Sequence, residues 1–326
     1  MPSAYLESTD YAAYGVPNAT AAQVQWASAL IDGYLARREG LVYEVDGFGN
    51  PCAMVAPAPT YQLAAQAAFG PSPTTAITIN VSGPVNRAVN GEVLIVDRGL
   101  STEEALVIQV SPTPFTNSPN GLGNAQWGNG GNQIQAVNPL GIAGCNFAHA
   151  SGALLQAGLT IKEEHPMPSD RPLATLYRTP VASVLSGQGR YGYGRRGNTQ
   201  FYAIQQFNLL NMLQGFTGPP LWEQFQVNIN NCDPERGTFW APSGIFLAYY
   251  SRVRIWYVAG FTYSDLPSVV KQACAQLVLA LQQYPEMSAG NMKSLAAGQN
   301  NMQRFTASLL DEDTKRMLNF YRARIV

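Results

Sequence analysis

The chain has 326 residues, a formal net charge of −1 and only 13% charged residues, where soluble proteins average about 25%. That balance excludes a basic tract of the kind that grips nucleic acid by neutralising phosphates. Two histidines and four scattered cysteines (Cys52, Cys145, Cys232, Cys274) without a CxxC leave no metal site of ordinary ligand spacing, so no cofactor or metal is expected.

No signal peptide is read in Met-Pro-Ser-Ala-Tyr-Leu, and apolar stretches such as 273–281 are too short to span a bilayer. A soluble chain made in the cytoplasm, with isolated thiols and no membrane contact, is the expectation. The first helix opens at Thr20-Ala21-Ala22-Gln23, which has capping-box form. Val24, Ala27, Ile31, Tyr34 and Leu35 recur at helical spacing, and Gly40 is placed to stop the helix after about twenty residues.

From Leu41 the texture turns to strand. Residues 41–45 and the Asp46–Asn50 turn suggest a hairpin; 77–81 alternates apolar and polar, and 92–97 and 105–110 are two further strands. The stretch 117–132, rich in Asn and Gly, is expected to be a long loop or arm. Further strands are expected at 174–178, 225–229, 245–250 and 252–258. No Lys, Arg, Asp or Glu occurs from Ala105 to Ile161, nor from Gly197 to Trp222. Runs this long without charge suit a chain whose middle lies against other protein, because amides and hydroxyls are satisfied at an interface more easily than charge.

At Pro267 the pattern returns to helix. Val270, Ala273, Leu277, Leu281 and Tyr284 line one face, and Pro285 ends it. A last helix carries Asp311, Glu312 and Asp313 in its first turn and Arg322 and Arg324 in its last, an order that complements the helix dipole. The fold class expected is α+β: a small bundle of N- and C-terminal helices flanking a large antiparallel, sandwich-like insertion. The three parts are 1–40, 41–260 and 261–326, the insertion of roughly 220 residues being large enough to be a domain.

The ends resemble the head-to-tail adaptor, or connector, proteins of tailed bacteriophages. The front resemblance lies in Tyr5-Leu6, Tyr11, Tyr14-Gly15, then Ile31-Asp32-Gly33-Tyr34-Leu35 and Arg37-Arg38-Glu39-Gly40. The back resemblance lies in the strand 253–258 running into Ala259-Gly260-Phe261, Leu266-Pro267 with an Ala-rich helix, and Leu310 through Tyr321-Arg322. It covers about the first 50 and last 75 residues, and the large β-rich middle departs from compact adaptors. It implies a non-enzymatic virion protein of the phage neck: a homo-oligomeric ring, usually of twelve copies, docked under the portal and around the DNA exit channel. Its partners would be itself, the portal and the next neck or tail protein. Packaged DNA would pass through without specific binding. Tyr321, Arg322 and Arg324 would face the portal.

Arg190-Tyr191-Gly192-Tyr193-Gly194-Arg195-Arg196 is the densest cationic and aromatic cluster. Arg190, Tyr191, Tyr193, Arg195 and Arg196 are candidates for a subunit or lumen contact, through guanidinium stacking on aromatic faces or phosphate. Glu103-Glu104 is placed in a hairpin turn. Glu163-Glu164-His165 suggests an acid/base pair, but adjacent residues of an extended segment point to opposite faces and converge poorly. No catalytic set is nominated. The rival reading is a β-sandwich tail or fibre module binding host carbohydrate, with Trp127, Tyr191, Tyr193, Trp222 and Trp240 stacking on sugars.

Overall fold

The computed structural model describes residues 4–73, 76–82, 88–109, 133–139, 144–167, 172–190, 222–227, 231–241, 250–283, 295–297, 300–302 and 312–324. The chain divides into two compact units. One comprises Met1–Val42, Val55–Pro57 and Phe261–Val326; the other comprises Tyr43–Met54 and Ala58–Gly260. The class is α+β, mostly strand, with antiparallel sheets and three α-helices among the described residues.

In the first unit, α1 spans Ala21–Leu35. Its capping box forms as the sequence implies: the Gln23 N–H donates to the Thr20 hydroxyl at 3.3 Å, and the Thr20 N–H donates to Gln23 Oε1 at 3.0 Å. The helix is shorter than expected because Ala36 turns left-handed (φ 55°) four residues ahead of Gly40. The Arg37 N–H then closes back on the Asp32 carbonyl at 2.9 Å. Helix α2 spans Ser268–Gln283. Val24, Ala27, Ile31 and Leu35 of α1 share one buried core with Val270, Ala273, Cys274, Leu277 and Val278 of α2 and with Tyr5 and Leu6. Burying each large aliphatic side chain there contributes about 1.5–3 kcal/mol.

The last helix is a correction. Helix α3 covers only Glu312–Leu318, followed by a 3₁₀ turn at Asn319–Tyr321, and Arg322 is already extended (ψ 138°). Arg322 and Arg324 therefore lie beyond the helix instead of in its last turn. A tertiary bond explains the early end: the Ala323 N–H donates to the carbonyl of Leu35 at 2.9 Å, satisfying one of the orphan acceptors at the C-terminus of α1.

The strands in chain order are β1 (Tyr43–Val45), β2 (Pro51–Met54), β3 (Tyr61–Ala65), β4 (Ile77–Ser82), β5 (Val93–Val96), β6 (Glu104–Gln109), β7 (Gln133–Val137), β8 (Leu154–Ala157) and β9 (Ile161–Pro166). They continue as β10 (Leu173–Thr175), β11 (Val181–Arg190), β12 (Glu223–Phe225), β13 (Cys232–Asp233), β14 (Thr238–Trp240) and β15 (Arg252–Ala259). Two short strands of the first unit, β16 (Leu295–Ala297) and β17 (Asn300–Met302), pair with each other. The expected strand at 245–250 falls on residues outside the described set up to 249, as do the 117–132 arm, Tyr284 and Pro285.

The expected sandwich is replaced by a closed barrel. Strands β3-β4-β7-β6-β5-β8 close on themselves, β8 pairing with both β3 and β5. Leu63, Ile79, Leu94, Leu106, Ile134 and Leu155 are among the side chains that fill it. Six strands leave an interior that side chains can pack completely. Val93, Ile95, Ala105 and Val107 alternate with those residues, point out of the barrel and join a second core with β2, β9, β11 and β15. That is why β5 and β6 are continuous apolar runs: both of their faces are buried. It also accounts for part of the uncharged stretch, since β6 through β8 spend their neutral residues inside the chain's own unit.

The second core belongs to a four-stranded sheet of order β12-β11-β15-β9, with a three-stranded sheet β10-β14-β13 also contributing. Gly187 and Gly189 sit inside β11 because rings lie over them. A Cβ at Gly189 would come within 2.3 Å of the Tyr250 ring, and one at Gly187 within 2.3 Å of Phe225.

Candidate functional site

Most of the residues that carry the sequence resemblance lie in the first unit, while the strand 253–258 and Ala259-Gly260 belong to the second. The Tyr5 hydroxyl donates to Asp32 and accepts the Leu41 N–H at 3.1 Å, while the Tyr5 N–H donates to Ser28 Oγ at 3.0 Å. Burial pushes the Asp32 carboxyl up to about 7, against the lowering effects of the Tyr5 hydrogen bond and the Arg37 charge. Arg37 is fully buried and donates to the carbonyl of Tyr321 at 3.4 Å. These polar groups hold the two ends of the chain together.

Of the three candidates for a portal contact, Tyr321 is committed inside the unit, packed edge-on against Phe261 at 5.6 Å. Arg322 is exposed, with its guanidinium 5.9 Å from the Tyr34 ring centroid, and Arg324 is exposed. The Tyr34 hydroxyl in turn donates to Asn319 Oδ1 at 2.9 Å. The same short C-terminal element presents two apolar side chains outward: Phe320 is 81% exposed and Met317 40%. The spacing of Leu310, Met317, Leu318 and Tyr321 suggests one apolar stripe on the last helix; the structure buries Leu318 but leaves Met317 outward, and Leu310 lies outside the described residues. An apolar pair at i, i+3 straddling a buried leucine is the signal that could have marked them.

In the second unit, Arg190 ends β11, its guanidinium 5.1 Å from the Trp222 ring centroid. Tyr191, Tyr193, Arg195 and Arg196 lie outside the described residues, as does Trp127. Trp222 is also covered by Arg254, at 4.1 Å, and Trp240 on β14 is 52% exposed. The described aromatics named for sugar stacking therefore include one ring already occupied by cations.

Two buried acid–imidazole clusters exist that the sequence did not assemble. On β9, Glu163 and Glu164 do point to opposite faces, but Glu163 and His165 are two apart and share the inner one. Glu163 accepts from His165 Nε2 at 2.8 Å, the Tyr177 N–H at 2.9 Å, Arg178 Nη1 at 2.9 Å and the Tyr257 hydroxyl at 2.7 Å. Burial alone would raise this carboxyl, but those donors hold it below its ordinary value. In the barrel, His149 bridges Asp97 (Nδ1, 2.8 Å) and Glu104 (Nε2, 2.7 Å) and stacks on Phe69 at 4.7 Å. Burial would lower its pKa; the hydrogen bonds to Glu104 and Asp97 outweigh that and raise it. Glu104 also accepts the N–H groups of Asn146 and Phe147. Glu103 lies in the turn that joins β5 to β6, as expected, and Glu104 opens β6; both side chains are buried.

In both clusters every carboxylate oxygen that faces the imidazole is already engaged and the imidazole is buried. General acid/base work needs a group within reach of substrate, and these are closed structural hubs. A cavity of about 230 Å³ in the second unit is lined by uncharged residues, among them Gln109, Asn138, Ser186 and Gln224. Among the described residues no group of three or more His, Cys, Asp or Glu could hold a metal, and all four cysteines are buried and free. No described helix is long and apolar enough to cross a membrane. No protein-family model, curated protein or solved structure matches the chain.

Proposed function

We propose that this chain is a structural subunit of the neck of a tailed phage, assembling into a ring that joins portal to tail while DNA passes through it. The sequence resemblance of its two ends to head-to-tail adaptors motivates the reading. The observation that carries it is the C-terminal element: it is anchored to α1 through Leu35, Tyr34 and Arg37 and leaves Phe320, 81% exposed, and Met317 facing outward. An anchored apolar pair rimmed by Arg322 and Arg324 has the makeup of an interface hot spot. The portal is the partner assigned to it. The β-rich unit would offer surface to neighbouring copies and to the next neck or tail protein, and the chain acts by assembly, without catalysis.

Native mass measurement and negative-stain imaging of the protein mixed with its portal test the reading. A ring, twelve-fold on the adaptor precedent, that binds the portal supports it; a lasting monomer that ignores the portal sinks it. Phe320→Asp should abolish portal capture while leaving thermal unfolding nearly unchanged, because an exposed side chain contributes little to folding.

A further inference from the structure

One face of the four-stranded sheet concentrates positive charge in a chain whose net charge is −1. The ladder pairs Arg190 with Arg252 directly, and Gln188 with Arg254 one step along. On the other side of β15, Arg254 pairs with Glu164 and Trp256 with Lys162. Directly paired residues share a face, so Lys162, Arg190, Arg252 and Arg254 all point the same way. Gln188 covers part of this face by donating to the Asn90 carbonyl at 2.6 Å. Beyond that contact the cations emerge, with the Arg252 side chain 52% exposed.

Four cations meet one carboxylate on the face. Glu164 is shared between Arg252 at 2.9 Å and Arg254 at 3.3 Å. Among the described residues, Lys162 and Arg190 have no ion-pair partner, and Glu92, the other carboxylate felt by Lys162, accepts from the Tyr61 hydroxyl at 2.7 Å. Partial burial first, and the Arg254 charge second, hold the Lys162 ammonium below its ordinary value. Like charges placed directly opposite one another on paired strands cost stability. A sheet that retains such a pair breaks a local rule of the kind that functional sites break.

We infer that this face binds the phosphate backbone of duplex DNA, weakly and without sequence preference; the choice of DNA as the polyanion rests on the neck reading above. Guanidinium groups match phosphate geometry, and Trp222 and Trp256 hold them in place, Trp222 lying 5.1 Å from Arg190 and 4.1 Å from Arg254. Because those rings are covered by the chain's own cations, the face offers charge without an open aromatic anchor.

The test is anisotropy of a labelled duplex of about 30 base pairs titrated with the full chain from low salt to about 200 mM, with polyglutamate as competitor. Four phosphate contacts predict that log K falls against log[salt] with a slope of about −3.6, and each lost cation should flatten it by about 0.9. Arg190→Gln and Lys162→Gln should each lower affinity several-fold and flatten the slope; Lys162 is exposed, so that variant retains its fold. No binding at low salt, a slope unaltered by both variants, or equal affinity for polyglutamate would overturn the assignment. A chain that docks on the portal but ignores DNA defeats only this inference, and one that binds DNA but ignores the portal defeats only the neck reading.

Discussion

Glu163→Gln separates the two neighbouring carboxylates of β9 by their energetics. In the native chain Oε1 receives Arg178 and Tyr257, and Oε2 receives His165 and the Tyr177 N–H. A glutamine must turn its amide nitrogen toward one of these pairs. Facing His165 is the less costly choice, because the imidazole can change tautomer and accept. The Tyr177 N–H then loses its acceptor, which costs about 1–3 kcal/mol, and Arg178, 25% exposed, loses a charge partner for up to about 1 more. The sum is about 1–4 kcal/mol. Glu164→Gln, at a side chain 33% exposed, should cost at most about 1 kcal/mol.

Calorimetry should show the Glu163→Gln transition of the second unit lowered by roughly 3–12 °C. The carboxyl is depressed in the folded state, so its contribution is present above its ordinary value of 4.5 and fades as pH falls through the lower folded value. The variant should lack that acid limb. If the two variants unfold within about 0.5 kcal/mol of each other, the hub reasoning is wrong.

The opposite sign is expected at His149, whose folded pKa is raised above 6.5: its stabilisation is complete below 6.5 and lost as pH rises through the folded value, so His149→Gln should erase a decline in stability on the alkaline side. Gly189→Ala should destabilise by about 1–3 kcal/mol in urea titrations, since its Cβ would meet the buried Tyr250 ring; a neutral result would mean the ring can move aside. Thr20→Ala should cost about 1 kcal/mol through loss of the cap on α1, read from the unfolding of the first unit.

What the sequence makes legible is what is local. The Thr20–Gln23 box acts within four residues, and the alternation of 77–81 needs only the face it buries, so both emerge from the chain unaided. Strand β11 does not, because Gly187 and Gly189 carry the signature of a turn; the rings that require them come from Phe225 and Tyr250, 38 and 61 positions away. Barrel closure is hidden for the same reason, β3 and β8 lying on either side of β4 through β7. The polar hubs are assembled from distant segments too: His149 finds Asp97 and Glu104 across 52 and 45 residues. The Glu163–His165 pair was within reach, since a strand returns every second residue to the same face.

The shared core of α1 and α2 has a consequence for synthesis. Between Leu35 and Ser268 lie roughly 230 residues, which a ribosome working at about 5–20 residues per second takes on the order of 10–50 s to add. Through that interval the apolar stripe of α1 waits without its mate, while the intervening strands can pair among themselves. The element that carries Phe320 also follows both helices in the chain. Folding of the first unit therefore waits on synthesis of the second, whose strands can pair before α1 meets its mate.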